Sequence, residues 1–159
     1  MTMTGDRRSL TGLWFDRQED FAAGLDEMPE TRQLPVFNET CRWLDIYFSG
    51  GRPGFTPPIS LCDTPFRIAV WEILKTIPYG QTLTYGEIAV RIAQQKGRHR
   101  MSAQAVGGAV GHNPVSIIIP CHRVIGADGG LTGYAAGLDK KRRLLQLEQI
   151  IPSYDFLQR

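Results

Sequence analysis

The sequence predicts an α/β protein in which a small N-terminal α/β unit precedes a larger, mainly helical unit that also holds a short sheet. Two observations carry this prediction. A dense cluster of glycine and proline at residues 49–58, SGGRPGFTPP, interrupts the 159-residue chain and is typical of a linker. Beyond it, apolar residues recur at helical spacing behind recognisable helix caps. We therefore expect units at 1–58 and 59–150 and a tail at 151–159.

The N-terminal unit is predicted to contain a strand and a helix. Residues 10–15, LTGLWF, are mostly apolar or β-favouring and predict a strand despite their glycine. In residues 36–48 apolar side chains recur with the period of a helix, so one face of that helix is expected to be buried. The face consists of Phe37, Cys41, Leu44 and Phe48.

Two capped helices open the C-terminal unit. Thr64 supplies an N-cap and Pro65 the first helical position, and an apolar stripe then continues to a stop at residues 78–80, PYG. The next helix opens with the capping-box pattern TYGE at 84–87 and runs to about Gln95.

A third helix, at 103–110 behind the expected cap Ser102, has an unusually small face. Its adjacent glycines, Gly107 and Gly108, weaken an isolated helix by about 1 kcal/mol each relative to alanine. One reason for glycines at these positions is that they allow another molecule or segment to approach the helix closely. Downstream, a buried strand is predicted at 115–119, VSIII, and a last helix at 138–149 follows a glycine-rich loop.

Composition narrows the class of protein. The net charge of +2 argues against a highly basic architectural protein but permits a local basic face. The three cysteines, Cys41, Cys62 and Cys121, are widely spaced and form no CxxC pair, which indicates neither a disulfide framework nor a zinc quartet. No signal-peptide core is visible, and no apolar run approaches the roughly 18 residues of a membrane span. We therefore expect a soluble protein of the reducing cytoplasm.

The sharpest local feature is PCHR at residues 120–123, directly after the predicted buried strand. Thiolate is the reactive form of cysteine, and a thiol with a pKa of about 8.5 is mostly protonated at neutral pH, so Cys121 needs a base. His122 could serve through a water or after a turn of the chain, because neighbours on an extended segment point to opposite sides. Taken alone, the pair also fits a small buried cysteine beside a histidine that satisfies a core hydrogen bond.

The helices at 84–95 and 103–110 have the layout of a helix-turn-helix, whose second helix docks in a groove of DNA. Their connection is longer and more basic than usual, and the start of the second helix adds positive potential. Basic side chains there could bind phosphates, although such a run also occurs on an ordinary solvated corner. They are Arg91, Lys96, Arg98, His99 and Arg100.

Residues 61–150 resemble the O6-alkylguanine-DNA alkyltransferases through five motifs in family order and spacing. The motifs are AVGGA at 105–109, GHNP at 111–114, IPCHRVI at 119–125, TGY at 132–134 and LLQLE at 144–148. Several motifs in order are far more specific than any one of them. Similarity in the N-terminal unit is limited to the predicted strand and the general layout, for which the resemblance implies a ribonuclease-H-like fold.

The resemblance implies that Cys121 irreversibly accepts an alkyl group from O6 of guanine, with O4 of thymine as a further candidate position. The target oxygen lies inside the duplex, so the nucleotide must be flipped out at a cost of a few kcal/mol. His122 would act through a water, and Glu148 would orient and charge the histidine, as in the relays of cysteine hydrolases.

Further site residues follow from the same resemblance. Asn113 is expected to bridge the recognition helix to the active-site segment. Tyr85 is expected near the phosphate of the flipped nucleotide, donating a proton toward guanine. Tyr134 is expected to wall the pocket, while backbone groups of Val124 and Ala135 hydrogen-bond the guanine edge.

DNA contact is expected at the small-faced helix, whose small residues permit close approach to the minor groove. Family members usually carry an inserted arginine at the position of Gln104. Glutamine can fill space and hydrogen-bond the orphaned base but supplies no charge, so we expect flipping to survive with weaker DNA affinity. The expected DNA-binding set is Arg100, Ser102, Ala103, Gln104, Ala105 and Gly107.

Two other functions stay open at this point. A cysteine hydrolase built on Cys121, His122 and Glu148 would need an oxyanion hole and multiple turnovers. A damage sensor without chemistry would lack the acceptor, and Cys121 argues against it. We favour an alkyltransferase that acts as a monomer on double-stranded DNA containing O6-alkylguanine. It is expected to need no cofactor and no metal, because no cysteine precedes Cys41 and no histidine precedes His99.

Overall fold

The computed structural model describes residues 1–18 and 32–152, and its mixed α/β architecture confirms the predicted class. The helices are α1 (Pro35–Phe48), α2 (Pro65–Lys75), α3 (Tyr85–Gln95), α4 (Ala103–Gly111) and α5 (Leu138–Leu147). Strands β1 (Thr2–Gly5) and β2 (Leu10–Trp14) pair antiparallel, and β3 (Leu83–Thr84) and β4 (Val124–Ile125) pair parallel. No helix in the described ranges is long and apolar enough to cross a membrane. Residues 153–159 of the predicted tail lie outside the described residues.

Strand β2 connects distant parts of the chain. It is the strand predicted at 10–15, one residue shorter, and β1, which the sequence analysis did not predict, covers one of its edges. The backbone of Leu10 hydrogen-bonds residues 58–60, and the backbone of Leu13 hydrogen-bonds residues 114–116, at 2.7–2.9 Å. The strand therefore holds both the end of the glycine-proline segment and the segment that leads to Cys121.

Helix α1 forms where predicted, but its predicted buried face is only partly correct, because Leu44 is buried and Phe37 is half-buried against the core. Cys41 and Phe48 are exposed, because the face that packs against the core is rotated relative to the predicted face. The residues buried there are Val36, Thr40, Trp43, Leu44 and Tyr47. The observed orientation buries the two large aromatic rings of Trp43 and Tyr47 in the core.

The predicted caps of α2, α3 and α4 are confirmed. Thr64 and Ser102 accept hydrogen bonds from the backbone three residues on, and Thr84 forms a full capping box with Glu87. Helix α2 ends before the predicted stop at 78–80, because the backbone N–H groups of residues 76 and 77 bond the carbonyls three residues back.

Helix α4 is fixed to the body of the protein by its buried side. The indole N–H of Trp71 on α2 donates to the carbonyl of Ala109 at 2.8 Å. Within the described residues, a side chain added at Gly108 would meet nothing within 4 Å, and one at Gly107 only the Tyr85 ring at 3.8 Å. Internal packing therefore does not require these two glycines.

The strand predicted at 115–119 is wrong, although all five residues are buried. The segment forms a tight turn in which Ile117 has φ 70°, and only isolated bridges remain at its ends. A β-branched residue rarely adopts this left-handed conformation, which costs about 1–3 kcal/mol and needs support from its surroundings. Support comes from the buried side chain of Asn113, described with the site below.

Candidate active site

A cavity of about 500 Å³ opens between α4, the turn before Cys121 and the loop that leads to α5. The structure brings six of the predicted site residues together in its lining. They are Tyr85, Gly107, Asn113, Cys121, Tyr134 and Ala135. His122, Glu148 and Val124 do not line the cavity and are buried elsewhere.

Cys121 stands at the start of a one-turn 3-10 helix, Cys121–Arg123, and its side chain is 7% exposed. The Asn113 amide donates to Cys121 Sγ at 3.1 Å and to the carbonyl of Ile119 at 2.8 Å. Its oxygen accepts from the Val115 N–H at 3.0 Å. One buried side chain thus fastens both ends of the strained turn and orients the thiol.

Behind the thiol, His122 and Glu148 form a buried pair. His122 Nε2 lies 2.7 Å from Glu148 Oε1, and neither side chain is exposed. An ionised carboxylate only accepts hydrogen bonds, so Nε2 carries the proton and Nδ1 keeps its lone pair. Among the described residues Nδ1 has no hydrogen-bond partner. The pair therefore presents a nitrogen able to take a proton.

Two residues that sequence reasoning missed complete this buried network. Arg123 donates from Nε and Nη2 to both oxygens of Glu148, at 2.8 and 3.0 Å, and from Nη1 to the carbonyl of Ile77 at 2.6 Å. Tyr47 donates from its hydroxyl to Glu148 Oε1 at 2.7 Å. Arg123 could have been suspected from its place in PCHR, whereas Tyr47 carried no sequence signal beyond its position on α1.

Burial and charge set the protonation states of the network. Burial acts to raise the pKa of Glu148, but hydrogen bonds from His122 and Arg123, together with the charge of Arg123, outweigh it and lower the pKa to about 2. Burial lowers the pKa of His122 although Glu148 opposes the shift, and burial raises the pKa of Cys121 although Asn113 opposes it. The resting site is therefore a thiol, a neutral imidazole and a carboxylate.

Lys141 on α5 is a further residue that the sequence did not single out. Its side chain is fully buried, and Nζ donates to the carbonyls of Thr132 and Gly133 at 2.8 and 3.2 Å. Burial lowers its pKa to about 8, and the neighbouring Cys121 opposes that shift. The positive charge in turn favours the thiolate of Cys121. Lys141 thus holds the loop before Tyr134 and places a cation near the thiol.

Two tyrosines wall the cavity. Tyr85, the first residue of α3, donates to the carbonyl of Thr132 at 3.2 Å, and burial raises its pKa. The hydroxyl of Tyr134 is buried and makes no well-formed hydrogen bond within the described residues, and burial next to Cys121 raises its pKa well above the ordinary value. Both phenols remain protonated at neutral pH. Ala135 lies beside them in the lining, whereas Val124 pairs with Leu83 in the short parallel sheet.

The predicted DNA-binding residues lie on α4 or just before its start. Arg100, Ser102, Ala103, Gln104 and Ala105 are exposed, while Gly107 is half-buried against Tyr85. An open groove of about 820 Å³ separates the start of α4 from α3, and the basic residues Arg98, His99 and Arg100 border it. No group of three or more His, Cys, Asp or Glu side chains able to hold a metal occurs among the described residues.

Comparisons with known proteins identify relatives over most of the chain. The DNA-binding domain of 6-O-methylguanine DNA methyltransferase matches residues 65–150. A methylated-DNA–protein-cysteine methyltransferase of Methanosarcina acetivorans is 51% identical over 146 residues, 92% of this chain and 89% of the relative. The protein of that name from Haemophilus influenzae is 41% identical over 151 residues, 94% of this chain and 80% of the relative.

Solved structures agree. Mycobacterium tuberculosis OGT in complex with DNA is 42% identical to this chain and superposes with a TM-score of 0.76. The match covers 92% of this chain and 84% of the OGT chain. An O6-methylguanine DNA methyltransferase from Methanococcus jannaschii is 30% identical, with coverages of 94% and 88% and a TM-score of 0.63. The resemblance inferred from the five motifs is confirmed, and this chain belongs to the methylated-DNA–protein-cysteine methyltransferase family.

Proposed function

We propose that this protein repairs alkylated DNA directly, by transferring a methyl or other alkyl group from O6 of guanine to its own Cys121. The observation that carries the proposal is the placement of Cys121 in the wall of a cavity, hydrogen-bonded to Asn113 and backed by His122 and Glu148. Relatives named for this reaction align along more than nine-tenths of the chain. O4 of thymine is a second candidate position.

The first chemical step is activation of the thiol. The proton of Cys121 Sγ passes through a water to His122 Nδ1, and Glu148 stabilises the imidazolium that forms. Lys141 and the amide of Asn113 stabilise the thiolate left behind. This division of charge suits a buried site, because each ion formed has a partner already in place.

In the transfer itself, the thiolate attacks the alkyl carbon and a carbon–sulfur bond forms as the carbon–O6 bond breaks. The electron pair of the broken bond goes to guanine, which takes a proton from Tyr85. Solvent reprotonates Tyr85, and the His122 imidazolium returns the former thiol proton to solvent, so no net proton is gained or lost. Tyr134 closes the pocket, and the backbone of Ala135, which lines the cavity, holds the guanine edge. The backbone of Val124 lies outside the lining and is assigned the same role from the family resemblance alone. The product thioether has no comparably good leaving group, so each molecule reacts once.

Substrate access requires the damaged nucleotide to leave the duplex. We assign α3 and α4 to a helix-turn-helix, with α4 against the minor groove and Gln104 filling the gap. The bare faces of Gly107 and Gly108 support this, because packing within the described chain does not require them. Arg100 and its basic neighbours would neutralise phosphates. The proposal also includes a division of the chain at residue 58 and a ribonuclease-H-like N-terminal unit. It places the protein in the cytoplasm as a monomer.

Intact-protein mass spectrometry tests the function. The protein is mixed with a duplex containing one O6-methylguanine, beside Cys121→Ser as the matched control. We expect one added methyl per molecule on the wild type and none on the control. An unchanged mass with the duplex still bound would contradict the proposal and indicate a damage sensor. An unchanged mass with repeated conversion of the duplex would indicate a hydrolase.

A further inference from the structure

We propose that Tyr47 of helix α1 is a positioning residue for alkyl transfer, whose hydroxyl holds His122 with Nε2 protonated and Nδ1 free to receive the thiol proton. This inference rests on the proposed function and deepens it. It makes the N-terminal part of the chain a participant in the chemistry rather than only a support.

The hydroxyl of Tyr47 lies at the junction of the buried network. It is 2.7 Å from Glu148 Oε1 and 3.3 Å from His122 Nε2, and the Tyr47 side chain is fully buried. Each of the three groups is therefore within hydrogen-bond distance of the other two. Solvent cannot replace any of these contacts without opening the core.

The direction of each hydrogen bond follows from the protonation states. Glu148 is ionised and can only accept, and burial together with the Glu148 charge raises the pKa of Tyr47, so the phenol donates to Oε1. The phenol oxygen then remains an acceptor for the Nε2–H of His122. The opposite tautomer would aim the Nε2 lone pair at the carboxylate oxygen Oε1 only 2.7 Å away, which is repulsive.

Tyr47 also reduces the negative charge that the Glu148 carboxylate presents to His122. Oε1 receives donors from His122, Tyr47 and Arg123, and Oε2 receives donors from Arg123 and the backbone of Gly80. Each donor neutralises part of the carboxylate charge. Removal of the Tyr47 hydroxyl leaves more negative charge facing the imidazole, which favours the imidazolium.

The position of the hydroxyl is set by aromatic packing. The Tyr47 ring stacks on Trp43 at 5.3 Å and meets the rings of Tyr79 and His122 edge-on at 6.1 and 6.4 Å. Phenylalanine preserves these ring contacts. Tyr47→Phe therefore separates the hydrogen bonds from the packing.

The first measurement is the single-turnover rate of methyl transfer from a methylated duplex, as a function of pH. We expect Tyr47→Phe to be slower by roughly tenfold at neutral pH, in line with the loss of one buried hydrogen bond to a charged group. Its acid limb is expected to move to higher pH, because the pKa of His122 rises. The other charged groups near His122, namely Glu148, Arg123 and Lys141, are unchanged.

Tyr79→Phe is the matched control. It also removes a hydroxyl, one that donates to the carbonyl of Leu147 at 3.0 Å, and it leaves His122 and Glu148 untouched. We expect its pH profile to coincide with that of the wild type. Equal profiles for Tyr47→Phe and the wild type, or an equal shift in the control, would overturn the inference.

A second measurement does not depend on activity. Nitrogen-15 NMR of the three histidines reports which ring nitrogen of His122 carries the proton. We expect Nε2–H in the wild type and a raised pKa of His122 in Tyr47→Phe. A wild-type His122 protonated on Nδ1 overturns the inference even if transfer proceeds. If the wild-type protein has Nε2–H but transfers no methyl group, the proposed function is refuted. The NMR comparison of the wild type with Tyr47→Phe then tests the positioning role of Tyr47 independently of activity.

Discussion

Asn113 binds the sulfur of Cys121 at 3.1 Å with the same amide group that fastens the carbonyl of Ile119 at 2.8 Å. The residue that orients the acceptor thiol therefore also stabilises the strained turn beneath it. Stability and reactivity are therefore coupled at Asn113.

Asn113→Ala is expected to lower both the free energy of unfolding and the rate of methyl transfer. It leaves the Val115 N–H buried without its partner, whereas the Ile119 carbonyl keeps its hydrogen bond from the Cys121 N–H, so the expected loss is about 1–3 kcal/mol. Urea unfolding and single-turnover kinetics measure the two effects. Asn38→Ala, at an exposed position of α1, is the control and should change neither. A stable but slow Asn113→Ala protein would mean that the amide serves the thiol alone.

Lys141→Met is expected to slow methyl transfer by about tenfold at neutral pH, because the thiolate loses a nearby cation. The wild-type lysine itself becomes neutral above its pKa of about 8, so the deficit should be largest below that pH and shrink above it. Rates measured from about pH 6 to pH 10 span the transition. Lys140→Met, which alters the exposed neighbour, should show no pH-dependent deficit.

Acid should destabilise the protein through Glu148. Its pKa falls from 4.5 in the reference state to about 2 in the folded protein, so its contribution is present above about pH 4.5 and is lost as the pH falls toward 2. The stability at stake is on the order of 3 kcal/mol. Urea unfolding across this window should show a flatter pH dependence for Glu148→Gln than for the wild type. Glu72→Gln, at an exposed ion pair, should retain the wild-type slope.

Methylation of Cys121 should destabilise the protein and release DNA. The thiol is buried against Asn113, so an added methyl group overpacks the site at a cost of about 1–3 kcal/mol. A decrease in Tm of about 3–10 °C is expected after reaction with one equivalent of methylated duplex. The wild type incubated with unmodified duplex is the control. A methylated protein with the same Tm as the unreacted protein would show that the cavity accommodates the methyl group.

Gln104→Arg should strengthen DNA binding, because it adds a positive charge at the exposed start of α4. In a Cys121→Ser background, the salt dependence of log Kd is expected to steepen by about one counterion. Gln104→Leu has similar bulk without charge and should leave the salt dependence unchanged. Identical slopes for the arginine and leucine variants would place residue 104 away from the phosphates.

Local sequence determined much of this architecture. The capping box of Thr84 and Glu87 and the cap at Ser102 are interactions over three residues, and both form as predicted. The proximity of Asn113 to Cys121 was expected from the resemblance carried by the motifs at 111–114 and 119–125, and the structure brings the two side chains together in the cavity wall. Signals of this kind are readable because the interacting groups are neighbours in sequence.

Tertiary structure decided the rest. Apolar periodicity predicted helix α1 but only part of its buried face, and Tyr47 reaches Glu148 across 101 positions of sequence. A run of β-favouring residues predicted a strand at 115–119, where the side chain of Asn113 and the pairing with β2 impose a turn at Ile117. Lys141, one of several charges on α5, is buried beneath a loop. Which face is buried and which backbone groups find partners depend on segments distant in sequence, and local patterns do not encode those distances.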